Sequence, residues 1–141
     1  MNKEDVTKLL EQAKKTYITK KDEKKKEEFR RLANGVFQAE GSITAKVRSI
    51  FSITPSFSLN QTLSIESLLF FVELWYALDK NCNLHLVQSS SGNWIIILSS
   101  ESWEVCTDVL APYFNLTYGE KYIGFKKLLK IRSLTYKNKT P

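Results

Sequence analysis

Hydrophobic residues recur at helical intervals through the first third of the chain. In residues 3–17 the apolar positions share one side and lysines occupy the other, which predicts an amphipathic helix. Residues 20–28 carry opposite charges at i, i+4 spacing, which favours continuous helix. A second apolar face with helical spacing follows, formed by Phe29, Leu32, Ala33, Val36 and Phe37. A second helix is therefore predicted over residues 29–40, with Gly41 as its C-terminal cap.

After Gly41 the hydrophobic period changes from helical to alternating. Residues 43–59 alternate apolar and polar side chains, which predicts a hairpin with one polar face that turns near Ser49 and Ile50. Ser64 is a favourable N-cap residue, and the strongly apolar residues 65–78 after it predict a helix. One helix, one hairpin and one further helix therefore form the first half of the predicted domain.

The second half of the chain repeats this arrangement. Residues 84–98 predict another hairpin, with its turn at residues 89–92. Residues 99–101, Ser-Ser-Glu, predict the cap of a helix that runs towards Pro112, and residues 122–136 predict a last helix. The order from the second helix onward is αββαββα. It predicts an α+β fold with a four-stranded antiparallel sheet and an extra N-terminal helix.

Length and charge divide the chain into a central domain and basic ends. At 141 residues the chain is long enough for one domain, which we place at residues 29–136. Residues 1–28 form a basic N-terminal helical extension, and residues 137–141 form a C-terminal tail. The net charge of +6 comes from the ends, because residues 32–114 carry three basic and seven acidic side chains. Terminal lysine clusters indicate either a nucleic-acid partner or solvated helices, and we favour nucleic acid.

The amino-acid composition excludes several classes of function. No apolar run reaches the ~18 residues of a membrane span, so we expect no membrane partner. Cys82 and Cys106 lack metal-ligand spacing, and one histidine cannot build a zinc site, so free thiols in a reducing compartment are expected. The N-terminus shows no signal-peptide pattern. Richness in Lys, Asn, Ile, Phe and Tyr suits an AT-rich organellar genome, so we suspect a mitochondrion or another organelle.

The second helix carries a motif, Gly-Val-Phe-Gln-Ala-Glu-Gly-Ser-Ile at residues 35–43. Together with the αββαββα order, it resembles the signature helix of the LAGLIDADG homing endonucleases. The resemblance implies that Gly35 and Ala39 form a close helix–helix interface with a second copy of the motif. It also implies that Glu40 binds a divalent metal over the scissile phosphate. Asn34 stands where the family usually has alanine.

The resemblance extends to other segments of the chain. Residues 51–61 look like the second strand of the family, and residues 94–100 look like its fourth. Residues 112–127 look like the segment that brings a basic residue into the active site, which implies Lys121, or alternatively Lys126, as a catalytic cation. Ser58 stands where a water-positioning polar side chain often lies. In an active enzyme, Glu40 and Lys121 would therefore be the catalytic residues, with Mg²⁺ as the cofactor.

The outer face of the predicted sheet is the DNA-binding surface in this family, and here it carries few cations. Its predicted residues are Ser42, Thr44, Lys46, Arg48, Ser52, Thr54, Ser56, Ser58, Asn60, Asn83, His85, Val87, Asn93, Ile95 and Ile97. Two of these are cations, whereas phosphate binding and base readout need many. Exposed Ile95 and Ile97 predict a covering partner.

Two hypotheses of function follow. The first is a descendant of a homing endonuclease that no longer cleaves, needs no cofactor and binds structured RNA beside protein neighbours in an organellar ribonucleoprotein such as a mitochondrial ribosome. The second is an active homodimeric, Mg²⁺-dependent DNA endonuclease, or an intron maturase. We favour the first. The predicted nucleic-acid-binding residues are Lys24, Lys25, Lys26, Lys46, Arg48, His85, Lys121, Lys126, Lys127, Lys130 and Arg132.

Overall fold

The computed structural model describes residues 2–17, 22–49, 52–115 and 119–139, with the backbone alone for residues 47–49, 52, 119–120 and 134–139. Its helices are α1 (Lys3–Thr16), α2 (Glu23–Glu40), α3 (Ile65–Ala77), α4 (Trp103–Val105), α5 (Ala111–Tyr113) and α6 (Gly119–Lys139). A π-helical turn, Cys106–Leu110, joins α4 to α5. The strands are β1 (Ser42–Ser49), β2 (Ser52–Thr62), β3 (Asn83–Gln88) and β4 (Trp94–Ser100).

The αββαββα order is confirmed when the helical segment 103–113 is counted as one helix. α2 begins at Glu23, with the Asp22 carboxylate accepting a hydrogen bond from the Lys25 amide as its N-cap. The charged stretch is therefore part of α2, and the boundary that we placed after residue 28 falls within this helix. The cap of α4 is Ser102, because β4 continues to Ser100, so the predicted cap at residues 99–101 is wrong.

The four strands form one antiparallel sheet in the order β1-β2-β4-β3. Ser42 pairs with Ser58 across β1 and β2, and Leu98 of β4 lies between Leu59 of β2 and Leu84 of β3. The predicted turn of the first hairpin lies partly at residues 50–51, outside the described residues. The inner face of the sheet is covered by helices and buries Ile43, Phe57, Leu59, Leu84, Ile96 and Leu98.

α2 buries a narrower stripe than the sequence pattern predicts. Phe29, Ala33 and Phe37, spaced four residues apart, are buried, whereas the Leu32 side chain is 58% exposed. The prediction that Leu32 shares the core-facing side of α2 is wrong, because the helix directs Phe29, Ala33 and Phe37 into the core, with Val36 partly buried beside them. Leu32 instead shares the solvent-facing side of α2 with Gly35.

The junction between α2 and β1 depends on an aromatic cluster. Phe37, Phe57 and Phe114 stack on one another with ring centroids 4.6–5.7 Å apart. A Cβ on Gly41 would lie 2.1 Å from the Phe37 ring, so a side chain has no space there. Gly41 has extended backbone angles, φ −74° and ψ 161°, and the predicted glycine cap is needed for close packing rather than for a left-handed turn.

α1 packs against α3 and the edge strand β3. The Tyr17 ring stacks on Tyr76 at 4.6 Å, and the Tyr76 hydroxyl donates a hydrogen bond to the Lys14 carbonyl. Lys14 Nζ donates to the Leu84 carbonyl of β3 at 3.4 Å. Leu10 joins the hydrophobic core of the domain. The N-terminal helix is thus packed onto the domain and protects part of an otherwise open sheet edge.

Two polar side chains of α2 cap the segment 103–113. Arg30 Nε and Asn34 Nδ2 donate to the Tyr113 carbonyl at 2.8 and 3.0 Å, and Arg30 Nη2 donates to the Pro112 carbonyl at 2.5 Å. These carbonyls lie at the end of a helical segment, and the Pro112 carbonyl also accepts a hydrogen bond from the Asn115 amide at 3.3 Å. Asn34 therefore has a structural role, because its side chain joins α2 to the end of the segment 103–113.

Cys82 and Cys106 are free thiols buried in the core, as predicted. Burial, with a smaller contribution from Cys106, raises the pKa of the Cys82 thiol to about 12. Burial raises the pKa of the Cys106 thiol to about 11. Both thiols are therefore protonated in the folded protein at neutral pH and are poor nucleophiles and metal ligands.

Substitution of Gly41 should destabilise the fold. Gly41→Ala places a methyl group against the fully buried Phe37 ring, so the free energy of unfolding should fall by about 1–3 kcal/mol in urea denaturation. Gly35→Ala is the matched control, because no atom lies within 4 Å of its added Cβ. That variant should be neutral or more stable by about 0.5–1 kcal/mol. Equal loss in both variants would contradict the packing role of Gly41.

The buried thiols predict a loss of stability at high pH. In the unfolded chain they ionise near pH 9, whereas in the fold they stay protonated to about pH 11–12, so stability is full below pH 9 and falls above it. In this window each thiol lowers the free energy of unfolding by about 1.4 kcal/mol for each pH unit. Urea denaturation across the window should show a shallower decline for Cys82→Ala/Cys106→Ala. An identical decline would refute the assignment.

Candidate nucleic-acid interface

Glu40 is the last residue of α2, and its side chain is exposed. Its carboxylate accepts a hydrogen bond from Gln61 Nε2 at 3.1 Å. It lies at the rim of an open hollow between the end of α2, the end of β2 and the start of α3, which also includes Leu32, Asn60, Thr62 and Glu66. The last turn of α2 carries no basic residue. An acid at a helix C-terminus is unfavourable without a cation, and in the described residues Glu40 is compensated by an amide alone.

Lys121 lies in the first turns of α6 and is half-buried. α6 passes close to the start of β1, where a Cβ on Gly124 would lie 3.6 Å from the Ile43 carbonyl oxygen. Among the described side chains, no ion pair joins Lys121 to Glu40. Ser58 is half-buried on the outer face of β2, opposite Ser42 and Ser99. The structure therefore does not bring the two predicted catalytic side chains into contact within one chain.

The outer face of the sheet carries the predicted side chains where they are described. The alternation places Ser42, Thr44 and Lys46 of β1 outward while Ile43 is buried, and the other strands follow the same rule. The predicted residue Arg48 lies in the part of β1 described by its backbone alone, and so does Ser52 in β2. Cross-strand pairing brings polar side chains into rows that cross the sheet: Asn83, Ser99, Ser58 and Ser42 form one such row.

Lys46 already has an anionic partner. Its Nζ lies 2.8 Å from Glu101 Oε1, and both side chains are about half exposed. Such a surface pair contributes little to stability, but it neutralises the cation that this face would offer to phosphate. His85, predicted to contact nucleic acid, is half-buried and shares a 3.2 Å hydrogen bond between its Nδ1 and Asn83 Nδ2. The sheet face is thus nearly neutral over its described side chains.

One end of the outer face is apolar. Ile95 lies between Val87 and Thr62, and Ile97 lies between His85 and Asn60. Val87 is 42% exposed, and Ile95 and Ile97 are half-buried. The predicted exposure of the two isoleucines is therefore partial, and Val87 is the most open of the three.

The described cations outside the sheet lie mainly on two helices. Lys126, Lys127 and Lys130 are exposed on α6, where Lys126 lies over the Tyr122 ring at 5.4 Å. Arg132 is half-buried over the Trp103 ring at 5.3 Å, so it is less available than predicted.

Lys24, Lys25 and Lys26 form an exposed basic turn at the start of α2. Lys26 pairs with Glu23 at 3.5 Å. Cations at a helix N-terminus oppose the helix dipole, so this turn is stabilised by any anion that binds it.

A single chain does not assemble a metal site in its described residues. No group of three or more His, Cys, Asp or Glu side chains converges there. Glu40 offers one carboxylate, which is already bonded to Gln61. Mg²⁺ is usually held by one or two carboxylates together with water and substrate phosphates, so one chain supplies at Glu40 a single described carboxylate towards such a site.

Sequence reasoning did not find Glu101 and Gln61 as site residues. Glu101 was assigned to a helix cap, and its contact with Lys46 spans 55 positions of sequence. Gln61 is the residue before the last of β2, and the strand pattern does not show that its side chain reaches Glu40. No local signal identifies either contact, because both depend on how the sheet and α2 meet.

Comparison with known proteins relates this arrangement to a fold. No family model matches the chain, and no curated protein matches it. A solved structure described as the group I intron-encoded homing endonuclease I-CeuI complexed with DNA matches with a TM-score of 0.59 and 12% identity. The match covers 94% of this chain and 65% of that one, so the chain spans less than two thirds of that enzyme. The predicted α+β, LAGLIDADG homing-endonuclease-like fold is confirmed.

Within the described residues, no helix has the length and apolarity required to cross a bilayer.

Proposed function

We propose that this protein binds nucleic acid through the lysines of α6 and of the first turn of α2, and that it does not cleave its ligand. The observation that carries the proposal is the placement of the cations. Lys126, Lys127 and Lys130 are exposed on α6, whereas Lys46 on the sheet is neutralised by Glu101. Neutralised phosphates supply most of the affinity for a polyanion, so binding follows the free cations. A DNA-bound protein with this fold supports nucleic acid as the ligand class.

The proposed ligand is structured RNA within a ribonucleoprotein, with a protein neighbour on the apolar end of the sheet. Lysines on helices bind phosphate groups and do not distinguish bases, which suits recognition of RNA by its shape. Val87, Ile95 and Ile97 offer an apolar surface that a protein neighbour would cover. A mitochondrial or other organellar assembly, such as a ribosome, remains the proposed location, on the composition of the chain.

The isolation of Glu40 supports the proposal that cleavage has been lost. Its carboxylate is held by Gln61 in the described structure, and Lys121 makes no ion pair with it. Among the described residues no group of three or more metal-binding side chains converges, which supports a protein that does not hold the metal of phosphodiester hydrolysis.

A homodimeric, Mg²⁺-dependent DNA endonuclease is the second candidate, and one surface favours it. Leu32, Gly35 and Ala39 are exposed along one side of α2, and that side leads directly to Glu40. Nothing lies within 4 Å of a Cβ on Gly35, so a second helix could approach closely there. A two-fold axis along α2 would bring two Glu40 side chains together.

Removing the α6 lysines should weaken nucleic-acid binding. Lys126→Gln/Lys127→Gln/Lys130→Gln should lower the slope of log affinity against log salt by about 2–3, because each lost phosphate contact removes about 0.7–0.9. Fluorescence anisotropy with a structured RNA measures this slope, and a DNA duplex of equal length is measured for comparison. Lys3→Gln/Lys8→Gln/Lys15→Gln on α1 is the control of equal charge. A larger effect from Lys46→Gln would instead place the ligand on the sheet.

Cleavage separates the two candidates. With Mg²⁺, the wild-type protein should leave plasmids carrying its own flanking sequence intact, and Glu40→Gln should behave identically. Its mass in solution should be that of one chain, 16.3 kDa. Nicking that Glu40→Gln abolishes, together with a dimer that Gly35→Leu disrupts, would establish the endonuclease and overturn the proposal.

A further inference from the structure

A second cavity lies at the opposite end of the α2–α3 pair from Glu40. It has a volume of about 400 Å³ and is formed by the end of α1, the start of α2, the end of α3 and Tyr113. Glu40, by contrast, lies where α2 ends and α3 starts. Ligand cavities in proteins are commonly about 300–1,000 Å³ and combine apolar walls with a few polar groups. This cavity does not include the α6 lysines, but Lys26 of the basic turn of α2 is part of its lining.

Aromatic rings form its walls and are fixed in place. Tyr17 and Tyr76 stack at 4.6 Å, and the Tyr76 hydroxyl is held by the Lys14 carbonyl. Phe29 is 9% exposed and belongs to the core. Burial raises the pKa of Tyr113 to about 12, so this ring remains a neutral phenol at physiological pH. Four aromatic side chains therefore surround the cavity without a need to rearrange.

Carboxylates outnumber cations in the lining. Glu23, Glu27, Glu73 and Asp79 line the cavity together with Lys26 and Arg30. Lys26 pairs with Glu23 at 3.5 Å and Arg30 pairs with Glu27 at 3.8 Å, so the lining has two more carboxylates than cations. Glu27 and Glu73 both lie close enough to Tyr113 to oppose ionisation of its phenol. In a chain with a net charge of +6, this is a locally acidic cavity. Its potential favours a positively charged ligand.

The ring faces around the cavity already attract cations of the protein itself. The Arg30 guanidinium lies over Tyr113 at 5.7 Å, and Lys80 Nζ lies over Tyr76 at 5.7 Å. Both distances are within the range of cation–π attraction. The aromatic rings of the cavity can therefore attract a cation, and the carboxylates supply the opposite charge.

We propose that this cavity binds an organic cation, an ammonium group carried on an alkyl chain. Aromatic faces with adjacent carboxylates recognise such groups by cation–π attraction and ion pairing together. The ammonium group can belong to a free polyamine or to a lysine side chain of a neighbouring protein, and both present the same chemistry. Inorganic cations fit less well, because no three or more of the described His, Cys, Asp or Glu side chains converge to hold a metal ion.

Calorimetric titration of the full-length protein tests this site directly. Choline should bind saturably, and its uncharged analogue, in which carbon replaces the quaternary nitrogen, should not bind. The analogue has the same shape, so the comparison isolates the charge without any substitution. Equal binding of both compounds, or binding of neither, would overturn the proposal.

Substitutions locate the cation. Glu73→Gln/Asp79→Asn removes two carboxylates and keeps side-chain shape, and asparagine tolerates the left-handed backbone of Asp79, φ 54°. Choline affinity should fall about tenfold or more in this variant. Glu66→Gln/Glu104→Gln removes the same charge outside the cavity and should leave affinity within about twofold. Equal weakening in both variants would show a diffuse charge effect and refute the site.

Two further titrations distinguish the sources of the ligand. Spermidine represents free polyamines, and a short peptide with one lysine represents a protein neighbour. Tighter binding of spermidine assigns the cavity to a polyamine, and tighter binding of the peptide assigns it to a protein. If neither binds, the cavity does not serve either source and the proposal is wrong. These measurements do not depend on nucleic-acid binding by α6.

Discussion

The contact between Phe37 and the bare backbone of Gly41 sets the geometry on which the rest of the structure depends. Phe37 stacks with Phe57 and Phe114, and each such pair adds about 0.5–1.5 kcal/mol beyond its buried area. The ring fills the space that a side chain at residue 41 would occupy, so α2 can turn directly into β1. Glu40, immediately before this turn, is thereby forced outward to the solvent. Its exposure is a consequence of core packing.

The positions of the charged side chains do not depend on the contact between Phe37 and Gly41. The outer face of the sheet is nearly neutral in its described part, with Lys46 bonded to Glu101. Exposed lysines lie on α1, on α6 and at the start of α2, and an acidic, aromatic cavity lies at the far end of the helical layer. One fold therefore presents a cationic surface for polyanions on α6 and an anionic cavity that begins beside the basic turn of α2, and neither requires Glu40 to hold a metal.

The local pattern of apolar and polar residues predicted the helices and strands well. The features that it did not predict depend on long-range packing. Ser64 caps α3 as expected, and the alternation in β2 and β4 assigned inner and outer faces correctly. Leu32 was misplaced because helical spacing does not show how wide a stripe the sheet covers. The Lys46–Glu101 pair and the cavity at Tyr113 join residues far apart in sequence, so no local signal contains them.

The central claim is that the helices, rather than the sheet, hold the nucleic acid. Ultraviolet cross-linking of the protein to a bound structured RNA, followed by mass spectrometry of the cross-linked peptides, tests it most directly. We expect cross-links in peptides that contain Lys126 to Arg132 and in those that contain Lys24 to Lys26. Cross-links concentrated at Ser58, Asn60 and His85 on the outer face of the sheet would contradict the claim.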